Sequence, residues 1–257
     1  MRYALISDIH ANLPALDAVL ADIDGRGDVD ATYHLGDLVG YSSQPNEVVA
    51  RLRARAIVGI AGNYDSTVAF DHAHCGCRSE GARQEALAHV SYAYTRGAVT
   101  AETKRFLAAL PFSLDVRPLG GHAAGPRLVL VHGTPTLNTV YWTEDRSDDF
   151  CRKMSMIVGL GAGDVLAFGH THKPWHRVVD GMHFVNTGSV GRPKDGDRRA
   201  GYVRLELGNG EARVEFVRVA YDVDATVAGV RAAGLPEELV AFLRSGGAPA
   251  ASSEVPS

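Results

Sequence analysis

Cysteine is scarce in this 257-residue chain: three in all, an odd number at irregular spacing. Such a set cannot build a disulfide framework, and it suits a reducing cytoplasm. Long apolar runs are also missing. Nothing approaches the ~20 residues of a membrane-spanning helix, and the apolar stretch in the opening MRYALISDIH meets charge too soon for a signal peptide. Charge of one sign is absent as well. Twenty-six Lys and Arg face thirty Asp and Glu, a net of −4, so there is no general attraction to duplex nucleic acid or an anionic membrane. There is no internal repeat. What remains is 46% hydrophobic residues in a length that can bury one large core.

Short apolar runs ending in glycine or a polar residue read as buried strands at 3–7, 31–36, 56–62, 127–133, 165–169 and 183–188. Helical patterns lie between them: LPALDAVLADID behind a candidate cap at Asn12, PNEVVARLRARA, EGARQEALAHVSYAYTRG, TAETKRFLAAL capped by Thr100, and DDFCRKMSMIVGL. YVRLEL and EARVEFVRVAY flank Gly208-Asn209-Gly210, a hairpin turn. Two further helical stretches, VDATVAGVRAAG and PEELVAFLRS, precede the tail GGAPAASSEVPS. Early alternation of strand and helix, then paired strands, predicts a layered α/β sandwich with mixed sheets.

The strand ends carry the chemistry. YALIS runs into Asp8-Ile9-His10, TYHLG into Asp37, AIVGIAG into Asn63, LVLV into His132, and VLAFG into His170-Thr171-His172. If extended geometry persists, residues two apart share a face, so Asp8 with His10 and His170 with His172 would project together. In open α/β sheets, groups beyond the carboxyl ends of strands converge from distant positions. Seven oxygen and nitrogen donors without a thiolate suit divalent manganese, iron, zinc or nickel. They are too many for one tetrahedral ion and fit two ions sharing a carboxylate. Taken singly, each residue also reads as an ordinary turn or strand-end residue.

In this order, DIH, GDLVG, GNYD, VHG and GHTH resemble the calcineurin-like metallophosphoesterases, in particular their small bacterial phosphodiesterase branch, from the N-terminus to about Gly208. The resemblance implies a four-layer α/β/β/α sandwich with two mixed sheets and a two-metal centre. Asp8, His10 and His172 would hold one ion, Asn63, His132 and His170 the other, with Asp37 bridging. It implies hydrolysis of a phosphodiester or nucleotide-like substrate by a hydroxide shared between the ions, with Asp37, Asn63, Tyr64 and His132 at the reacting centre and manganese as the first candidate metal. A phosphomonoesterase acting on phosphoserine, phosphothreonine or small molecules is the alternative reading, and a metal-free protein-binding scaffold a more distant one. The clear departure from the family pattern is Tyr64, which stands where strong phosphatases carry histidine to protonate the leaving oxygen. The chain divides accordingly into a phosphoesterase domain at 1–221, a helical appendage packed on the core at 222–245 and a disordered tail at 246–257.

Other stretches give weaker signals. NTGSVGRP (186–193) resembles the family's NPGS loop with threonine for proline. Asn186, Ser189 and Arg192 could reach a substrate phosphate, or the loop could pack beneath the GHTH turn. Asp71 to Cys77, DHAHCGC, is too tightly spaced for a usual zinc site and reads as a loop lending His72 or His74 to substrate. Tyr141 and Trp142 could stack a nucleobase or serve as core. Lys194, Arg198 and Arg199 with Asp195 and Asp197 read as a solvated turn tip. The expected partner is a small phosphoester or nucleotide, with neither duplex nucleic acid nor membrane; the sequence leaves the oligomeric state open.

Overall fold

The computed structural model describes residues 1–77, 81–117, 126–208 and 211–248. Asn209 and Gly210 of the expected hairpin turn, and 249–257 of the expected tail, lie outside the described residues. The first half runs β1 (Arg2–Ile6), α1 (Leu13–Arg26), β2 (Ala31–His34), α2 (Pro45–Ala54), β3 (Val58–Gly59), α3 (Asn63–Ala69), α4 (Ala82–Ala98) and α5 (Ala101–Ala108). It continues through β4 (Ser113–Val116), β5 (Leu128–Val131), α6 (Asp148–Val158), β6 (Val165–Phe168), β7 (Trp175–Val179) and β8 (Met182–Asn186). The remainder is β9 (Ala200–Gly208), β10 (Glu211–Val219), α7 (Val223–Ala232) and α8 (Glu237–Ser245).

Two five-stranded sheets form, ordered β10-β9-β1-β2-β3 and β4-β5-β6-β8-β7. Each has a parallel centre, β1–β2–β3 in one and β5–β6–β8 in the other, with antiparallel strands completing it. The period-two alternation of a strand explains the layering. Tyr3 and Leu5 of β1 join Leu128, Leu130, Val165 and Ala167 in the core between the sheets. Ala4 and Ile6, on the other face, pack against Leu16, Val19 and Leu20 of α1. Leu166 and Phe168 of β6 likewise turn outward onto Trp142 and Cys151. The result is the expected α/β/β/α sandwich, and all the parallel strands deliver their carboxyl ends to one edge.

Local signals place most elements. Asn12 accepts from Ala15 N at 3.2 Å to start α1, and Gly27, at φ 65°, closes it. Thr100 caps α5 by accepting from Thr103 N at 3.2 Å. The stretch at 56–62 differs from its reading, since only Val58–Gly59 is strand. Beyond it, Ala61 N bonds Pro111 O at 2.9 Å and leaves the ladder. α3 was not legible because NYDSTVA makes two turns with no apolar stripe. β4 and β7 are short edge strands with the same weakness. α7 and α8 pack through Val230, Leu239 and Leu243 against Leu87 of α4. Gly246, the first residue of the expected tail, accepts from Gly196 N at 3.0 Å, so the chain is still tethered there. Among the described residues no helix is long and apolar enough to cross a membrane.

Candidate metal centre

The site lies just past the carboxyl ends of β1, β2, β5 and β6, in tight turns rather than extended chain. Asp8, His10, Asp37, His170 and His172 all have positive φ, between 49° and 65°. The shared-face argument for Asp8/His10 and His170/His172 therefore fails in its geometry, although the residues do meet. Left-handed backbone costs a non-glycine residue about 1 kcal/mol or more. Cross-turn hydrogen bonds hold the strain in place: His10 N donates to Asp37 O, Asp8 N to Gly36 O and His170 N to Asp8 Oδ2, each at 3.0 Å. Gly169 permits a close approach, because a Cβ there would collide with Ser7 Oγ and Asp8 Oδ2.

Two ligand groups converge, Asp8/His10/His172 and Asp37/His132/His170. In the first, His172 Nε2 lies 3.2 Å from Asp8 Oδ1 and 3.1 Å from His10 Nε2. In the second, His132 Nε2 lies 3.5 Å from Asp37 Oδ2 and 3.2 Å from Asn63 Oδ1. Donors that share an ion at about 2.1 Å lie about 3.0–4.2 Å apart, depending on the angle between them, so both groups have the span of a coordination shell. Asp37 Oδ2 is also 3.8 Å from His10 Nε2, which puts this one oxygen between the groups. Outer hydrogen bonds aim the rings: the Nδ1 atoms of His10, His132 and His172 pair with the carbonyls of Val39, Leu35 and Arg192 at 3.1, 2.8 and 2.6 Å. Each such bond, donated by Nδ1–H, leaves the Nε2 lone pair facing inward.

Metal ions fit this cluster on its own evidence. Asp8 Oδ1 and His170 Nε2 are buried without a hydrogen-bond partner, a costly state that a cation relieves. Burial, reinforced by His172, lowers His10 to about 3; burial, reinforced by His132, lowers His170 to about 4. Burial also takes His172 well below its ordinary value, with Lys194 and Arg192 adding to the effect. These three rings are thus neutral and able to donate lone pairs. His132 differs: burial would lower it, but Asp37 outweighs that and holds it at about 10. A divalent ion would replace that proton as the counter-charge to Asp37.

The remaining site candidates separate into those brought to the centre and those kept away. Asn63 donates through Nδ2 to Cys77 Sγ at 2.9 Å and Cys75 O at 3.2 Å, which turns its Oδ1 toward His132. The cysteines of DHAHCGC therefore reach inward. His74 does not: it is exposed, and its Nδ1 accepts from Gly76 N at 3.2 Å. His72 is likewise exposed, and neither histidine has a hydrogen bond or ring contact to a ligand residue. Asn186 and Ser189 are buried as struts. Asn186 donates to Gly169 O and Thr171 Oγ1, both at 2.9 Å, and Ser189 donates to Asp8 O at 2.7 Å. Their side chains thereby brace the turns that carry Asp8 and Gly169–Thr171. Trp142 is fully buried, stacked 4.4 Å from Phe168, and is core rather than a base platform. Tyr141 does lie at the site, its ring 4.4 Å from that of His170. Two contributors were missed. Asp65 joins the loops, accepting from Leu38 N and Gly62 N at 2.9 Å each. Lys194, assigned to a solvated tip, faces inward, and its charge helps lower His170 and His172. The D of GNYD was a signal for the first; nothing in the sequence marked the second.

Two buried nitrogen–oxygen triads side by side at the carboxyl edge of a double-sheet sandwich make two candidate metal sites, an arrangement of the metallophosphoesterase class. The comparisons agree: the sequence profile of the calcineurin-like phosphoesterase superfamily domain matches residues 1–210, and the chain belongs to that superfamily. It is 29% identical over 253 residues to the uncharacterized protein MJ0912 of Methanocaldococcus jannaschii, covering 92% of this chain and 94% of that one. The crystal structure of a metallophosphoesterase from Sphaerobacter thermophilus superposes with a TM-score of 0.73 at 29% identity, covering 96% of this chain and all of the other. The hypothetical protein PH1004 of Pyrococcus horikoshii OT3 shares the fold at a TM-score of 0.80 and 22% identity, over 97% and 99% of the two chains.

Proposed function

We propose that the chain hydrolyses small phosphodiesters or nucleotide-like esters with two divalent transition ions, manganese foremost. The observation that carries this reading is Asp37 Oδ2 poised between two complete nitrogen–oxygen groups. Two ions held there supply Lewis-acid activation of water and neutralise charge on the phosphoryl oxygens. The protein's part is to hold them: Asp8, His10 and His172 on one side, Asn63, His132 and His170 on the other. Ser7 and the carbonyls paired with the Nδ1 atoms of His10, His132 and His172 fix those donors in advance. A scaffold role is disfavoured, since an orphaned Asp8 Oδ1 would have to be kept buried for no return. The three cysteines are free, and Cys75 and Cys77 share one loop as thiols, which supports action in a reducing compartment such as the cytoplasm.

Preference for a diester with a good leaving group follows from Tyr64. Its ring packs 5.6 Å from His10, 5.1 Å from Tyr41 and 5.7 Å from Tyr92, and burial pushes its phenol well above the ordinary range. Such a group holds its proton near neutrality and serves as pocket wall. Tyr64→Phe is expected to change turnover of an aryl and an alkyl phosphodiester by less than about threefold, far below the roughly hundredfold of a lost general acid. Tyr64→His is expected to accelerate mainly the alkyl ester. A hundredfold loss in Tyr64→Phe on both esters, with metal content unchanged, would place the phenol in the chemistry instead.

A further inference from the structure

Arg192 has an environment that the metal centre does not explain. It is only 5% exposed, and its backbone is committed on both sides: N donates to Ser189 Oγ at 2.8 Å and O accepts from His172 Nδ1 at 2.6 Å. The guanidinium is held differently. Its central carbon lies 3.9 Å from the ring centre of Tyr41 and 3.8 Å from that of Phe242. Among the described residues no carboxylate or carbonyl accepts from its nitrogens. Its nitrogens are nonetheless not among the buried polar atoms left without a partner, as they would be if the N–H groups were sealed in unpaired. Two aromatic rings stabilise the cation but accept none of its in-plane hydrogen bonds. With both ring centres this close to its central carbon, the N–H groups are the part left for a ligand. That edge fits two oxygens of a phosphoryl or carboxylate group side by side.

The place of this side chain supports a role at the reacting centre. Tyr41 stands edge-on to His10 with ring centres 4.9 Å apart, and the positive charge of Arg192 helps lower both His10 and His172. The other clamp, Phe242, comes from α8, outside the part of the chain matched to the phosphoesterase profile. The end of α8 is fixed against the loop that follows Arg192. Gly196 N donates to Gly246 O at 3.0 Å, and a Cβ at Gly246 would collide with the backbone of Asp197 and Arg198. We propose that Arg192 binds a phosphoryl oxygen of the substrate beside the Asp8/His10/His172 group, and that Phe242 of the C-terminal helix is the positioning residue that holds it flat for that contact. The identity of the oxyanion rests on the phosphoesterase reading. The appendage is then part of the active site.

The test is calorimetric binding of inorganic phosphate to manganese-loaded protein, with metal content measured on every sample. Arg192→Met is expected to weaken phosphate binding by about tenfold to a hundredfold, the range for a charge-assisted hydrogen bond, with metal content unchanged. Phe242→Ala is expected to weaken it by about threefold to tenfold, within the range of a lost cation–π contact, and Phe242→Tyr to restore it. On bis(4-nitrophenyl) phosphate, Phe242→Ala should raise KM more than it lowers kcat. Unchanged phosphate affinity in Arg192→Met overturns the binding role. A Phe242→Ala protein that melts earlier but binds phosphate as well as the wild type overturns the positioning role. Phosphate binding that depends on Arg192 in a protein that hydrolyses no phosphoester would uphold this assignment and refute the function. The two claims therefore fail separately.

Discussion

Asp37→Asn is expected to lower phosphodiester hydrolysis by about a thousandfold or more, since metal-ion catalysis supplies several kcal/mol and each 1.36 kcal/mol is tenfold. Its Oδ2 faces donors of both groups, lying 3.8 Å from His10 Nε2 and 3.5 Å from His132 Nε2. The fold should survive. Asp37 Oδ1 accepts from Tyr64 N at 2.9 Å, and an asparagine oxygen can accept the same bond. His170→Ala and His172→Ala should also be severely impaired with their folds intact, each removing a donor from a different ion. Circular dichroism, metal content and turnover together decide the matter. Full activity in Asp37→Asn with metals bound would remove the bridge from the account.

Stripping the protein with a chelator is expected to abolish turnover, and manganese to restore it. The donor set is oxygen and nitrogen throughout; Cys77 Sγ pairs with Asn63 Nδ2 and Cys75 O and belongs to neither ligand group. The same experiment has a stability readout. Ions bound at about a hundred times their dissociation constant add about 2.7 kcal/mol per site. For a domain of this size each kcal/mol moves the midpoint by about 2–4 °C, so two sites should raise it by about 10–20 °C. The buried, unpartnered Asp8 Oδ1 and His170 Nε2 explain why the gain should be large. Turnover in protein shown to be metal-free would contradict the proposal.

The ligands were legible because each ends an apolar run, and strand ends in an α/β sheet point to a common edge. Asp8, His10, Asp37, Asn63, His132, His170 and His172 all come together on that basis. How they come together was not legible. Left-handed backbone at five of them depends on hydrogen bonds from distant turns, such as His10 N to Asp37 O, which no local pattern encodes. The substrate side was harder still. Asn186 and Ser189 have the same polar character whether they face a ligand or brace a turn, and only packing assigns them to the turn. Lys194 sits among alternating charges that look like a solvated tip. Phe242 lies in an amphipathic helix where any phenylalanine reads as core, and its partner is fifty residues away.

The most direct test is anomalous scattering from crystals of manganese-loaded protein. Two peaks are expected per chain, one within Asp8, His10 and His172, the other within Asn63, His132 and His170, with Asp37 reaching both. The peaks should lie about 3.5–4 Å apart, the spacing of two-metal hydrolytic centres. A single peak, or two that do not share Asp37, would contradict the binuclear account.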